Sequence, residues 1–153
     1  MTSEGHWHSA VVYQVYWRSF KDGNGDGIGD LKGLRSKIGY LSSLGVDAIW
    51  LNPTYPSPQG DHGYDVSNYF DVDPLFGTLE ELEQAIDEFH DHGMAVLLDI
   101  VPNHVSSQHP WFISAKEGGH GHEAESRFII RQGKGDSGGI PPNDWKSVFG
   151  GPA

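Results

Sequence analysis

The 153 residues are enough for one ordinary domain with a hydrophobic core. With 21 acidic and 10 basic residues the net charge is −11, which argues against nucleic acid as a partner because phosphate binding needs an excess of Lys and Arg. The chain has no cysteine, so disulfides and thiolate chemistry are excluded, and the composition is compatible with a reducing compartment.

The first residues of the sequence predict no secretory signal peptide. Residues 1–8 have neither the basic nor the apolar region of a secretory signal peptide. No uninterrupted apolar run in the sequence approaches the roughly 20 residues that a membrane helix needs. We therefore expect a cytoplasmic protein with no membrane partner.

Strand and helix signals alternate over the first part of the chain. The β-branched and aromatic residues 11–17 predict a first strand. Leu or Ile at positions 31, 34, 38, 41 and 44 predicts one helix, and Gly45 stands where such a helix should end. The apolar run 46–51 predicts a second strand.

The polar loop 52–77 is unusually long for a compact domain, which indicates a functional role. A capping box, Thr78 to Glu81, begins a second helix with Leu79, Leu82, Ile86 and Phe89 on one face. Gly93 ends that helix, and the apolar run 94–101 predicts a third strand that is buried on both faces. The order β-α-β-α-β predicts an α/β fold with a parallel sheet and right-handed crossovers.

The character of the sequence changes after His104. Glycine, histidine and proline prevail, and residues 127–130 are the only strand-like piece. We therefore place a domain boundary near residue 104. The spacing of His109, His120 and His122 follows no known zinc pattern, so a solvated loop is the preferred interpretation of these histidines.

A run of oxygen-bearing side chains follows the first strand, with Asp22, Asn24, Asp26 and Asp30 separated by glycines. Such a loop can fold around a hard cation, and we predict a structural Ca²⁺ (or Mg²⁺) site whose ligands also include the Ile28 carbonyl. The glutamate that closes an EF-hand loop is absent, so this is not an EF-hand. The alternative is a flexible loop whose last aspartate only caps the next helix.

Two further segments carry polar residues in places that suggest a site. Asp99, Asn103 and His104 follow the third strand, and the carboxyl ends of parallel strands face the active-site crevice of α/β folds. A structural aspartate bonded to neighbouring loop amides explains the same spacing equally well. Asp61 and Tyr64, in the long loop, could bind a sugar hydroxyl and stack on a sugar ring; taken alone, they are more typical of a solvated loop.

Taken together, these segments resemble the α-amylase superfamily, in the form found in α-glucosidases and oligo-1,6-glucosidases. The 99–104 segment is similar to the first conserved region of that superfamily. The resemblance extends from about Val11 to the last residue. The segments that carry it are 12–27, 45–58, 61–66, 99–104, 141–145 and 149–153.

The resemblance implies a (β/α)₈ TIM barrel with a domain B inserted after the third strand. Residues 1–104 would supply the first three strands and two helices of the barrel, and residues 105–153 the beginning of domain B. The implied substrate is the terminal α-linked glucose of an oligosaccharide. By the same resemblance, Asp61, Tyr64 and His104 bind the non-reducing glucose, Asp99 and Asn103 shape the site, and Phe149 lines its entrance.

The reaction implied by the resemblance is retaining hydrolysis, which needs a nucleophile and an acid/base carboxyl roughly 5–5.5 Å apart. None of the acidic residues after His104 ends an apolar strand, so no catalytic residue is assigned, and residues 1–153 alone are expected to be inactive. We expect a partial sequence of an α-glucosidase. The alternatives are a non-catalytic fragment or Ca²⁺- or sugar-binding module, and a trehalose-handling relative, against which residues 141–153 favour the glucosidase.

Overall fold

The computed structural model describes residues 6–119, 121 and 123–152. The chain forms two compact units, Met1–His109 and Pro110–Ala153. None of the helices in the described ranges is long and apolar enough to cross a membrane.

Three short parallel strands form the sheet of the first unit, in the order β1 (Val12–Val15), β2 (Ala48–Leu51) and β3 (Ala95–Leu98). The register is level, because Val15 pairs with Leu51 and Leu51 with Leu98. The carboxyl ends of all three strands therefore lie side by side at one edge of the sheet. The predicted parallel β-α-β-α-β order is confirmed.

The helices between β1 and β2 differ from the prediction. The first strand ends at Val15, and a short helix α1 (Trp17–Phe20) follows it at once. The single predicted helix is two helices, α2 (Leu31–Arg35) and α3 (Ile38–Ser43). The break lies at Ser36, whose hydroxyl donates 2.6 Å to the Gly33 carbonyl, a bond that competes with helix continuation.

The helix before β3 begins and ends as predicted. In α4 (Leu79–Asp91), the Thr78 hydroxyl accepts from the Glu81 amide at 3.2 Å and the Glu81 carboxylate accepts from the Thr78 amide at 2.9 Å. Gly93 ends the helix with φ at +76°, where glycine is favoured. Leu82 and Phe89 are buried, whereas Leu79 is exposed, so the apolar face is narrower than predicted.

The core lies between the sheet and α2, α3 and α4. Its largest fully buried side chains include Phe89, Leu31, Leu34, Leu41, Ile49 and Leu51. The prediction that β3 is buried on both faces is wrong for this chain. Within the described residues β3 pairs with β2 alone, and Leu97 and Leu98 remain 36% and 46% exposed.

The second unit contains a helix that the sequence analysis missed, α5 (Pro110–Gly118), followed by the 3₁₀ helix Glu123–Arg127. Phe112 and Phe128 pack edge to face with ring centroids 5.4 Å apart. The predicted strand 127–130 is wrong, because Arg127 ends the 3₁₀ helix and residues 128–130 form no strand.

The prediction that His109 lies in a solvated loop is wrong. It lies in the first unit with 7% of its surface exposed, and its ring lies 5.8 Å from that of Tyr69. Burial lowers the pKa of His109 below its usual range. His120 and His122 lie outside the described residues.

Candidate active site

The level register extends beyond the strands to two polar residues. The Asn52 amide donates to the Val15 carbonyl at 3.2 Å, and the Asp99 amide donates to the Leu51 carbonyl at 3.3 Å. These backbone hydrogen bonds hold Asn52 and Asp99 at the carboxyl edge of the sheet, Asn52 directly after β2 and Asp99 directly after β3. This edge is where α/β folds bind ligands.

The Asp99 carboxylate is held by donors from two other segments. Trp50 donates its indole N–H to Oδ1 at 2.7 Å, and Tyr64 donates its hydroxyl to Oδ2 at 2.8 Å. The Tyr55 hydroxyl donates to the Asp99 backbone carbonyl at 3.1 Å. The carboxylate is thus paired with side chains and not with the loop amides that the structural alternative assumed.

Tyr64 is held from its other side by Asn52, which follows β2 and is itself held by Gln14 of β1. The Asn52 side-chain amide donates to the Tyr64 hydroxyl oxygen at 3.0 Å, and Gln14 donates to the Asn52 side-chain oxygen at 3.1 Å. Burial raises the pKa of Tyr64 to about 12, and the hydrogen bond to Asp99 and the charge of nearby Asp61 act in the same direction. The phenol therefore stays protonated at physiological pH.

The imidazole of His104 contacts the loop that carries Tyr64. Its Nε2 lies 3.1 Å from the Tyr64 carbonyl, and its Nδ1 lies 3.1 Å from the Asn103 side-chain oxygen. Tyr69 donates its hydroxyl to the His104 carbonyl at 3.1 Å, which ties the segment after β3 to the long loop. The His104 side chain is nonetheless exposed, so it is available to a ligand.

The loop that carries Asp61 is organised by Asp65. Its carboxylate accepts from the Ser57 hydroxyl at 2.6 Å, the Gly60 amide at 2.9 Å and the Asp61 amide at 3.1 Å. Burial alone would raise the pKa of Asp65, but these hydrogen bonds outweigh it and hold the pKa below its usual range. The Asp61 side chain is half-buried, and its charge lies close enough to Tyr64 to raise the pKa of the Tyr64 hydroxyl.

Comparison with known proteins decides the family. Residues 14–153 match the catalytic domain of α-amylase. The chain belongs to the α-amylase family. It is 48% identical over 147 residues to a probable α-glucosidase of Rhizobium meliloti (strain 1021), an alignment that covers 96% of this chain and 26% of the relative. It is 47% identical to probable oligo-1,6-glucosidase 3 of Bacillus subtilis (strain 168), again over 96% of this chain and 26% of the relative.

A solved member of the family has the same fold. A mutant of trehalulose synthase MutB, crystallised in complex with glucose, superposes with a TM-score of 0.91 at 48% identity, over 99% of this chain and 26% of that structure. The predicted fold class is therefore confirmed: the chain is a three-stranded portion of a (β/α)₈ barrel of the α-amylase family. The chain spans about a quarter of the length of these relatives.

Four of the five predicted substrate-site residues of this α-amylase family member lie in the first unit. Asp99 and His104 each contact Tyr64, and Asp61 lies near it. Phe149 belongs to the second unit, where it is exposed. Sequence reasoning missed Trp50, Asn52 and Gln14. Their signal is the strand register, because Gln14 and Trp50 are paired residues of β1 and β2.

The Asp-rich loop of this α-amylase family member is closed by its own hydrogen bonds. The Asp22 carboxylate accepts from the Gly25 amide at 2.6 Å and from the Gly27 amide at 2.8 Å, bonds that hold its pKa below the usual range. Asp26 accepts from the Ile28 amide at 2.8 Å. In this conformation the carboxylate oxygens of Asp22 and Asp26 accept hydrogen bonds from loop amides.

The last aspartate of the loop caps a helix, as the alternative interpretation anticipated. Asp30 accepts from the Gly33 amide at 2.6 Å and from the Gly23 amide at 3.2 Å. Within the described residues, no group of three His, Cys, Asp or Glu side chains is placed to hold a metal ion. By donor chemistry the loop fits a hard cation, since it offers carboxylate and amide oxygens.

Proposed function

We propose that the protein is an α-glucosidase and that this chain supplies part of the pocket for the terminal glucose. The observation that carries the proposal is the arrangement at the carboxyl edge of the sheet. There Tyr64 is held between Asn52 and Asp99, with the Asp61 carboxylate and the His104 imidazole beside it. The similarity to a probable α-glucosidase and to a glucose-bound family member supports this assignment.

The three proposed contact residues offer complementary chemistry to a pyranose. The Asp61 carboxylate accepts hydrogen bonds from sugar hydroxyls, and the exposed His104 imidazole can exchange hydrogen bonds with a neighbouring hydroxyl. The Tyr64 ring offers an apolar surface on which the C–H face of a sugar can pack. Such a pocket binds and orients the glucose whose glycosidic bond is broken.

Retaining hydrolysis also needs a carboxylate nucleophile and a carboxylic acid about 5–5.5 Å apart, on either side of the scissile bond. We assign neither role to a residue of this chain. Its part in the proposed reaction is to position the sugar, which contributes to the rate because correct placement removes the entropic cost of alignment.

The proposal is tested by assaying the full-length protein with p-nitrophenyl α-glucoside, maltose and isomaltose. We expect turnover with release of α-glucose, which proton NMR detects from the anomeric signal before mutarotation. A protein that releases no glucose from any of the three would contradict the assignment. Comparison of maltose with isomaltose gives the linkage preference.

A second candidate function is transfer of the glucosyl group to a sugar acceptor. It is supported by the 48% identity to trehalulose synthase MutB, a family member also crystallised with its substrate sucrose. Incubation of the full-length protein with sucrose separates the two. Free glucose and fructose indicate hydrolysis, whereas an isomeric disaccharide indicates transfer.

We also propose that the loop Asp22–Asp30 binds Ca²⁺ or Mg²⁺ as a structural ion, through Asp22, Asn24, Asp26, the Ile28 carbonyl and Asp30. The proposal rests on donor type and spacing. When bound, such an ion would tie the loop to the start of α2. In this position the ion would have no part in the chemical step.

Addition of calcium is expected to raise the melting temperature of the protein, because an ion that binds the folded state at 100 times its Kd adds about 2.7 kcal/mol of stability. The Asp26→Ala variant should lose this response. Asp87→Ala, which removes an exposed carboxylate from α4, should keep it. Differential scanning calorimetry with and without calcium or magnesium measures the effect, and a wild type that responds to neither ion would refute the site.

Location and macromolecular partners stay predictions of the sequence. The absence of cysteine is compatible with a cytoplasmic location, and the net charge of −11 argues against a nucleic-acid partner. The expected partner is an α-glucoside oligosaccharide, as the substrate.

A further inference from the structure

We propose that Trp50 is a positioning residue of the glucose pocket, which acts through the Asp99 carboxylate on Tyr64. The inference rests on the proposed function for its effect on catalysis. Its structural basis is the 2.7 Å hydrogen bond from the Trp50 indole to Asp99, whose other oxygen accepts from Tyr64 at 2.8 Å.

The two donors fix the Asp99 carboxylate from two different elements. Trp50 belongs to the central strand β2, whose backbone is paired on both sides, so its indole is presented from a rigid element. Tyr64 belongs to the long loop, which has neither helix nor strand of its own. Trp50 therefore fixes the Asp99 carboxylate relative to β2, and Asp99 in turn fixes Tyr64, whose own segment lacks regular structure.

The hydrogen bonds run in a single direction. Gln14 donates to Asn52, Asn52 donates to Tyr64, and Tyr64 donates to Asp99, where the Trp50 donor also ends. An ionised carboxylate can only accept hydrogen bonds, so each donor and acceptor in this series of hydrogen bonds has one assignment. The Tyr64 proton is thereby committed to Asp99, and the surface that Tyr64 offers to a sugar is its ring.

This arrangement separates two groups of residues at the site. Asp61, His104 and the ring of Tyr64 contact the glucose. Asp99 and Trp50 set the orientation of that ring: Trp50 donates to Asp99, and Asp99 accepts from the Tyr64 hydroxyl. Asp99 is accordingly a positioning residue, in line with the site-shaping role that the family resemblance implied for it.

The hydrogen-bond chain is tested without catalysis by NMR of the full-length protein labelled with ¹⁵N-tryptophan. The Trp50 indole resonance is assigned as the signal lost in Trp50→Phe. It should shift in Asp99→Asn, which removes the acceptor charge, and in Tyr64→Phe, which removes the second donor. Tyr40→Phe, at an exposed tyrosine on α3, should leave it in place. A Trp50 signal that ignores both Asp99→Asn and Tyr64→Phe overturns the proposal.

The positioning role is tested by kinetics on p-nitrophenyl α-glucoside. Trp50→Phe retains a ring but loses the N–H donor, and kcat/KM should fall roughly 10-fold to 100-fold, the size of effect expected when a hydrogen bond to a carboxylate is lost. Trp7→Phe, at a half-exposed tryptophan before β1, should leave kcat/KM within about twofold of wild type, as expected for a surface change.

A double mutant decides whether Trp50 acts through the Tyr64 hydroxyl. In a Tyr64→Phe background, Trp50→Phe should lower kcat/KM by no more than about twofold, because the group through which it acts is gone. Equal effects in both backgrounds, or no effect in the wild type, contradict the positioning role. A wild type without turnover would instead contradict the proposed function, and the NMR shifts would still decide whether Trp50 is coupled to Tyr64.

Discussion

Replacement of either Asp61 or His104 by alanine in the full-length protein is expected to lower kcat/KM for p-nitrophenyl α-glucoside by about tenfold to a hundredfold. A hydrogen bond to a charged group contributes about 1.5–3 kcal/mol, and each 1.4 kcal/mol is a factor of ten. Both side chains lie beside Tyr64, so each substitution removes a proposed contact to the glucose being cleaved. Steady-state kinetics over a range of substrate concentrations measures the effect.

The controls are two alanine variants on the exposed side of α4, Asp87→Ala and His90→Ala, which remove the same kinds of side chain from solvent-exposed positions. Both should retain wild-type kcat/KM. Full activity in Asp61→Ala or His104→Ala would remove that residue from the proposed pocket. A fall in kcat as well as in kcat/KM would indicate contacts that strengthen in the transition state.

Gly33→Ala is expected to lower the free energy of unfolding by about 3 kcal/mol, at the upper end of overpacking changes. A Cβ at this position in α2 would lie 1.9 Å from the Lys21 carbonyl oxygen, a backbone atom that cannot move aside alone. The matched control is Gly39→Ala in α3, where nothing lies within 4 Å of the added Cβ. Because alanine is the better helix former, Gly39→Ala should add about 0.5–1 kcal/mol.

The same substitution in two neighbouring helices should thus have opposite signs. Urea unfolding of the three proteins, with equal m-values, measures the difference. A Gly33→Ala variant as stable as wild type would show that α2 and the segment before it can separate without cost. A destabilised Gly39→Ala would show that α3 does not accept a side chain at its exposed surface.

A close contact of the same kind explains Gly29 of the Asp-rich loop, which the sequence pattern did not. A Cβ on Gly29 would lie 1.8 Å from the Trp17 carbonyl oxygen, so the loop passes directly against the backbone of α1. The oxygen side chains could be recognised from their spacing, because ligand preferences are local chemistry. The close approach of two backbones could not, because it depends on where the chain returns.

The elements that the sequence predicted well are those with local signals. The Thr78 capping box and Gly93 set the limits of α4 through contacts within a few residues, and both are confirmed. Burial of β3 was predicted wrongly, because burial depends on which elements lie alongside a strand and not on its own composition. Helix α5 was missed although Pro110 stands at its first position, which is favourable for a helix start.

The candidate site shows the same division. Asp61, Tyr64 and His104 were named from family motifs, and the contacts of their loops place them in one unit. Trp50 lies in the 45–58 segment that resembles the family, but the sequence assigned it no role at the site. Its importance arises from the cross-strand distance to Asp99, 49 positions further along the chain, which periodicity within a single strand does not encode.

The backbone hydrogen bonds from Asn52 to Val15 and from Asp99 to Leu51 mean that the pairing register of the strands determines where the pocket residues lie. Side chains alternate between the two faces of a strand, so loss of one residue inside β2 ahead of Trp50 would turn its indole to the opposite face. The same loss in the turn before β2 would change only the path between elements. The pocket is therefore sensitive to the residue count within its strands, whereas the connection that precedes β2 can vary in length while Trp50 still donates to Asp99.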